Sequence, residues 1–259
     1  VPNSVYFHNK AKIKDGDLYI GPGGNPNEVV SYTSSNIPDG TIKNLSSIQN
    51  FPLPVFPDFP SLAEKDDLVF SKNAPTIVNA SGYYQCISVP KKNSLRIDVA
   101  DEDILIRTND LDVSGNIIIN KTGTGKVVFY VSNDLIIKGL INQNGDYNAL
   151  VLYYAGSDLD MNAQAELVGS VYAKNANIDM SGGMEITGHI ITGGNEVKVK
   201  GNAKANVRAI YAPLASLEVT GNSSISGAVV ANDIKVQGNA DIAYDDSFST
   251  DFFEQLEWN

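Results

Sequence analysis

The chain has 259 residues, enough for one large all-β domain or two ordinary domains, and carries a net charge of -11 at pH 7. This negative charge argues against partners such as nucleic acid or an anionic membrane surface. The single cysteine, Cys86, excludes an intrachain disulfide and is predicted to be a small buried apolar residue, and no apolar run is long enough to predict a transmembrane helix.

The first 92 residues contain two segments of different character. Residues 5–21, VYFHNKAKIKDGDLYIG, are spaced like the later stretch VYAKNANIDMSGGMEITG and predict an N-terminal coil or cap over residues 1–21. Residues 22–92 are irregular, and the stretch FPLPVFPDFP at 51–60 has too many prolines for a central strand. Because this stretch is too apolar to remain in solvent, we expect an extended segment packed along the rest of the protein or over one end. A docking surface for a partner is the alternative.

A seven-residue phrase occurs seven times from residue 109 onward. Its third and fifth positions are apolar and its fourth is usually charged, an alternation that predicts a strand with one buried face. The seventh position is usually Gly, often followed by Asn, and both residues allow the chain to turn a corner. The phrases are NDLDVSG from 109, NDLIIKG from 133, SDLDMNA from 157, ANIDMSG from 176, NEVKVKG from 195, ASLEVTG from 215 and NDIKVQG from 232.

Two further short strand-like segments separate successive phrases. Repeats of about 20 residues are typical of solenoids. The sequence therefore predicts an all-β fold, a single-stranded right-handed parallel β-helix of about seven or more coils over residues 93–243. Because a solenoid exposes bare strand edges at both ends, we expect residues 244–259 to form a capping tail with a short helix.

The fourth position of the phrase predicts a ladder of charges on the outer surface. It reads Asp160, Asp179, Lys198, Glu218 and Lys235 in successive coils, so that stacked neighbours of opposite sign lie within pairing distance. We interpret this ladder as a stabilising surface feature rather than a catalytic one.

A second outward column consists of large side chains instead of charges. It comprises Tyr153, Tyr172, Ile191 and Tyr211 in the third strand of successive coils. Stacked tyrosines on a flat sheet are suited to bind carbohydrate, and Tyr153, Tyr172 and Tyr211 are the candidate binding residues. They could equally lie beneath the chain's own N-terminal segment or tail, or form an inert exposed stripe.

Parallel β-helices include polysaccharide lyases and hydrolases, which need clustered carboxylates or an Asp, Arg and Lys constellation on one face. The chain has three arginines, Arg96, Arg107 and Arg208, and the last two are several coils apart. We expect no catalytic residues, no cofactor and no metal site.

The C-terminal repeats carry two motifs in a fixed order. Ala209 to Pro213 is followed by Gly221-Asn222, and Gly227 to Ala231 is followed by Gly238 to Tyr244. Together these residues resemble the β-solenoid domain of bacterial pilus-assembly proteins with a PilX-type, prepilin-like N-terminus. That family carries a hydrophobic prepilin helix, which is missing from this chain and is expected to precede Val1. The resemblance implies no catalytic residues.

These features predict a non-enzymatic extracellular structural or adhesion domain of a bacterial pilus-associated or cell-surface protein. The expected partners are pilus components or protein and glycan ligands on a host or other surface, and contact with a membrane is expected only through the missing N-terminal helix. Two alternatives stay open. One is a carbohydrate-binding or polysaccharide-degrading β-helix protein, and the other is a self-assembling polymer of the bactofilin type.

Overall fold

A computed structural model of the protein describes residues 5–9, 12–14, 17–31, 41–48, 50–162 and 164–243. The first third of the chain contains β1 (Val5–Asn9), β2 (Lys12–Lys14), β3 (Leu18–Ile20), the short helix α1 (Pro26–Val29), β4 (Val30–Ser31), β5 (Ile42–Asn44), β6 (Thr76–Val78) and β7 (Gly82–Val89).

The remaining strands follow at short intervals. Up to residue 168 they are β8 (Ser94–Val99), β9 (Ile104–Val113), β10 (Asn116–Lys121), β11 (Val127–Ile137), β12 (Leu140–Ile141), β13 (Leu150–Tyr154), β14 (Asp158–Met161) and β15 (Glu166–Val168), with a 3₁₀ turn at Tyr147–Ala149. They continue as β16 (Ser170–Ala173), β17 (Asn177–Met180), β18 (Glu185–Thr192), β19 (Glu196–Val199), β20 (Lys204–Gly221), β21 (Ser224–Ser226), β22 (Ala228–Gly238) and β23 (Asp241–Ala243).

These strands stack in parallel to form a β-solenoid of about 11 turns with three walls, as the repeat predicts. Wall A contains β13 and β16 with the first halves of β7, β9 and β11, and it continues through β18, β20 and β22. Wall B contains the seven-residue phrases, including β14, β17 and β19. Wall C contains β6, β8, β10, β12, β15, β21 and β23.

The core fills the interior of the coils. The third and fifth residues of the phrases point inward, and Leu159, Met161, Val197 and Val199 are all fully buried. Small residues such as Ala203 and Ala205 fill the corresponding positions on wall C. The alternation in the phrases therefore sets which face of wall B is buried.

The N-terminal coil extends the solenoid at its C-terminal pole. β1 lies parallel to β22, with Val5 opposite Ile234 and Phe7 opposite Val236, and β2 lies parallel to β23. β4 then adds to β1, and β3 pairs with β5 in a separate two-stranded sheet. The two ends of the described chain, near residues 5 and 243, are thus found at the same pole.

The opposite pole begins earlier in the chain than the predicted start at residue 93. β6 pairs with β8, and β7 pairs with β9 over both walls A and B, so that strands of the solenoid are present from Thr76 onward. Just before them, Glu64 bridges to Tyr83, and Leu68 and Phe70 pack against the core. Residues 64–70 therefore cover the interior at this pole.

The predicted ladder of charges forms on wall B. Asp160, Asp179, Lys198, Glu218 and Lys235 are register neighbours in successive coils. The Lys235 Nζ to Glu218 Oε1 distance is 2.9 Å, whereas Asp179 instead pairs with Lys200 at 3.1 Å and Lys198 pairs with Glu196 of its own strand. Exposed pairs of this kind are screened by solvent and contribute little to stability.

The prediction that Cys86 is buried is wrong. Its side chain is exposed, since Cys86 lies opposite Asp110 at the second position of the phrase, which points toward solvent. Partial burial, followed by the charges of Asp110, Asp112 and Asp67, raises the pKa of this thiol. The predicted capping tail at 244–259 lies outside the described residues.

Candidate functional site: the tyrosine track

The outward column on wall A forms a continuous row of large side chains along the solenoid. Tyr130 lies opposite Tyr153, Tyr153 opposite Tyr172, Tyr172 opposite Ile191, and Ile191 opposite Tyr211. We call these five residues the tyrosine track. The structure therefore brings the three predicted binding residues Tyr153, Tyr172 and Tyr211 into one row.

The track is longer than the sequence analysis predicted. Tyr130 belongs to it, and the row continues through Arg107 to Tyr83 toward the opposite pole. The Arg107 guanidinium lies 5.5 Å from the centre of the Tyr83 ring. The signal for Tyr130 was available, because VVFYVS occupies the same strand position in its coil as LVLYYAG does in the next.

Residues 51–60, which we call the strap, cover this track. Phe51, Leu53 and Phe56 pack on a second apolar cluster outside the coils, which contains Val128, Val151, Tyr172, Ile191 and Tyr211. Only 2% of the Tyr172 surface and 9% of the Tyr211 surface stay exposed. Tyr172 and Tyr211 therefore offer no open surface on which a sugar ring could stack. The predicted carbohydrate-binding role would need such a surface.

Tyrosine hydroxyl groups hold the strap through its backbone carbonyls. The Tyr211 hydroxyl donates to the carbonyl oxygen of Pro52 at 2.7 Å, and the Tyr172 hydroxyl donates to that of Pro54. Further along, Arg107 Nη1 donates to the Pro60 carbonyl oxygen at 3.3 Å. Because these contacts involve in turn Tyr211, Tyr172 and Arg107 of wall A, the strap runs along the solenoid from its C-terminal pole toward the pole formed by β6 and β7.

Aromatic rings fill the spaces between these hydrogen bonds. The Phe56 ring packs edge-on against Tyr172 at 5.1 Å and against Tyr153 at 5.9 Å between centroids, and Phe59 packs against Tyr130 at 5.2 Å. The Lys174 ammonium lies 5.6 Å from the centre of the Phe56 ring. Edge-to-face pairs of this geometry add to the stabilisation from burial alone.

Burial under the strap changes the acidity of the track. It raises the pKa of Tyr153, Tyr172 and Tyr211 from 10.0 to about 12 in each case, because the phenolate is poorly solvated there. The pKa of Tyr130 is raised for the same reason. At neutral pH the hydroxyl groups are therefore protonated and able to donate.

Elsewhere in the described residues, no site is as well defined as the tyrosine track. Within those ranges no group of three or more His, Cys, Asp or Glu side chains is arranged to hold a metal ion, and no helix is long and apolar enough to cross a membrane. A cleft of 390 Å³ lies on the outside of wall C, between β10 and the turn that follows β12. It is lined by isoleucines and carboxamides, among them Ile118, Asn116 and Gln143.

One protein family matches the chain over most of its length. The family model described as Domain of unknown function (DUF7305) aligns with residues 61–207 and again with residues 191–250. The chain belongs to the DUF7305 family. The DUF7305 matches begin at the pole where the solenoid starts, after the strap. A search of curated proteins and a search of solved structures each found no match.

Proposed function

We propose that this DUF7305 protein is a non-enzymatic structural and adhesive module, displayed outside a bacterial cell as part of a pilus-associated or cell-surface assembly. Its partners would be other components of that assembly or protein and glycan ligands on an opposing surface. The resemblance of residues 209–246 to the solenoid of pilus-assembly proteins supports this assignment.

The observation that carries the proposal is the position of the two described chain ends. β1 and β2 stack on β22 and β23, so both ends lie at one pole of a rod of about 11 turns. With about 4.8 Å per turn, this rod is roughly 50 Å long. A tether at either end would hold the opposite pole away from the attachment point, as a display module requires.

The alternatives receive less support from the same geometry. A carbohydrate site on the track would need the tyrosine faces that Phe56 and Phe59 cover. A polymer built by stacking solenoids would need bare coil ends, whereas Leu68 and Phe70 pack against the core at one pole.

The exposed thiol of Cys86 provides a direct test of surface display. It lies in β7, at the pole opposite the chain ends. Intact cells that produce the protein are treated with a membrane-impermeant maleimide at mildly alkaline pH, because the raised pKa of this thiol slows its reaction at neutral pH. We expect labelling of the protein on intact cells at the level reached after lysis.

The Cys86→Ser variant is the matched control and reports labelling that does not come from this thiol. Labelling that depends on Cys86 and needs no lysis supports display. Labelling that depends on Cys86 only after lysis, with the protein recovered from the cytosol, would overturn the proposal.

A further inference from the structure

We propose that the tyrosine track is a binding site for a proline-rich extended segment, and that the strap of a second copy of this chain can occupy it in place of the chain's own. The result is an exchanged assembly in which two copies hold each other by their N-terminal arms, by which we mean β1, β2 and the strap. This inference does not depend on where the protein is located in the cell.

The first step is that the strap is recognised as a ligand and not as a strand of the sheet. The strap contacts wall A through hydrogen bonds from Tyr172, Tyr211 and Arg107 to strap carbonyls, together with ring packing. The strands of wall A pair with their equivalents in neighbouring coils, and the strap itself contains a single bridge residue, Pro54. Side-chain recognition of this kind leaves the strands of wall A unchanged when the strap leaves.

The second step is the chemistry of the pairing. Proline has no amide N–H, so the carbonyl is the polar backbone group that Pro52, Pro54 and Pro60 offer to a partner. Grooves lined with aromatic side chains recognise extended proline-rich segments in this way, and the segment loses little conformational entropy on binding because it is already extended. The track supplies the aromatic lining and the hydroxyl donors that such a ligand needs.

The third step concerns what else moves with the strap. At its N-terminal end the arm contains β1 and β2, which pair with the edges of β22 and β23. An arm that is released from its own solenoid therefore carries both the ligand for the track and the strands that extend the C-terminal pole. Every one of these contacts can be made equally well by the arm of an identical chain, which is the condition for exchange between copies.

Concentration decides between the two arrangements. A segment tethered within one chain has an effective concentration on the order of 1 mM for its own site, so the closed monomer predominates in dilute solution. Exchange should rise with protein concentration and after brief warming that releases the arms. Crowding on a cell surface or within an assembly would also favour exchange.

The test uses full-length protein in two forms that differ in mass. One carries the photoreactive substitution Phe59→p-benzoylphenylalanine, next to Tyr130 of the track, and the other is uniformly labelled with heavy isotopes. The forms are mixed at about 1 mM, warmed, cooled and irradiated. We expect covalent dimers of light and heavy chains whose cross-link maps to β11, at a yield that falls on dilution.

The matched control places the same photoreactive residue at Val69, which is exposed and lies outside the strap. It reports cross-linking that arises from random collision. Cross-links from position 59 that stay within single chains at every concentration would show that the strap is a fixed part of its own solenoid and would overturn the proposal. The same conclusion would follow if mixed dimers from position 59 did not exceed those from position 69.

Discussion

Val5 lies directly opposite Ile234 in a parallel strand pair, although the two residues come from opposite ends of the chain. Phe7 lies opposite Val236 in the same pair, and only 1% of the surface of Val5 and of Phe7 stays exposed. The N-terminal strand thus supplies the apolar layer that follows the last repeat. Its alternation of inward Val5 and Phe7 with outward Tyr6 matches the phrase it stacks on.

The first prediction concerns this contact. Replacing Phe7 by alanine removes a fully buried ring and should cost about 3–5 kcal/mol of stability. The loss should be concentrated at the C-terminal pole, because Phe7 packs against its last coil. Urea denaturation measures the total, and hydrogen exchange should show lost protection in β22 and β23 while β9 and β11 stay protected. Tyr6→Ala, on the exposed face of the same strand, is the control and should change stability by less than about 1 kcal/mol.

The coil could be predicted from the sequence because each coil is specified by residues that are close together in the chain. Each phrase encodes its own buried face, and similar spacing places each copy above the last, so wall B and the column of charges on it follow from the pattern. The choice of ion-pair partner does not, because Asp179 pairs with Lys200 and Lys198 pairs with Glu196. Cys86 also follows that pattern once β7 is recognised as an earlier coil, because the second position is polar and at least partly exposed in the coils that follow, at Asp110, Asp134 and Asp158. The prediction failed because the phrase around Cys86, QCISVPK, lacks the charged fourth position and the terminal glycine.

The path of the N-terminal arm could not be predicted in this way. The sequence of β1 specifies a strand with one buried face, but any open strand edge of matching polarity satisfies its backbone groups equally well. β1 pairs at the C-terminal pole because the strap returns the chain along wall A from that pole. The tyrosines gave a similar ambiguity, since a column of large side chains looks the same whether a ligand or the chain's own segment covers it.

The second prediction separates hydrogen bonding from packing in the track. Tyr172→Phe and Tyr211→Phe each remove one donor to a strap carbonyl and keep the ring, so each should weaken docking of the strap by about 1 kcal/mol. Limited proteolysis within residues 51–60 should then proceed about 5-fold faster, because opening of the strap precedes cleavage. Tyr153→Phe is the matched control, because within the described residues its hydroxyl forms no hydrogen bond to the strap. A rate increase of equal size in all three variants would contradict this account.

The third prediction follows from the raised pKa of the track tyrosines. A tyrosine whose pKa is about 12 when covered and 10.0 when free binds more protons in the docked state between these values. The stability that depends on docking is therefore fully present below pH 10 and falls as the pH rises from 10 toward 12. Absorbance of tyrosinate, followed together with proteolysis of the strap, should show release within this window.

A variant distinguishes this ionisation from general alkaline unfolding. Tyr153→Phe removes one of the three covered phenols and, within the described residues, no hydrogen bond to the strap. Strap release should therefore depend less steeply on pH in this variant. An unchanged slope would show that the covered phenols do not control release.

The fourth prediction concerns the corners after the wall B phrases. Gly221 has φ of +83° and stacks on Gly201, so that a Cβ at position 221 would come within 2.8 Å of the Gly201 carbonyl oxygen. Gly221→Ala therefore combines backbone strain of about 1–2 kcal/mol with a clash against the neighbouring coil. Gly23 has φ of +71° but open space around its Cβ position, so Gly23→Ala isolates the strain alone.

We expect Gly221→Ala to lower the free energy of unfolding in urea by clearly more than Gly23→Ala does. The difference between the two should reflect the close approach of the coils, since both glycines have a positive φ of similar size. The neighbouring Asn222, whose carboxamide links Asn202 at 3.3 Å and Asn239 at 3.0 Å, should lose hydrogen-exchange protection only in the Gly221 variant. Equal costs for the two substitutions would mean that the corners are set by backbone conformation and not by contact between coils.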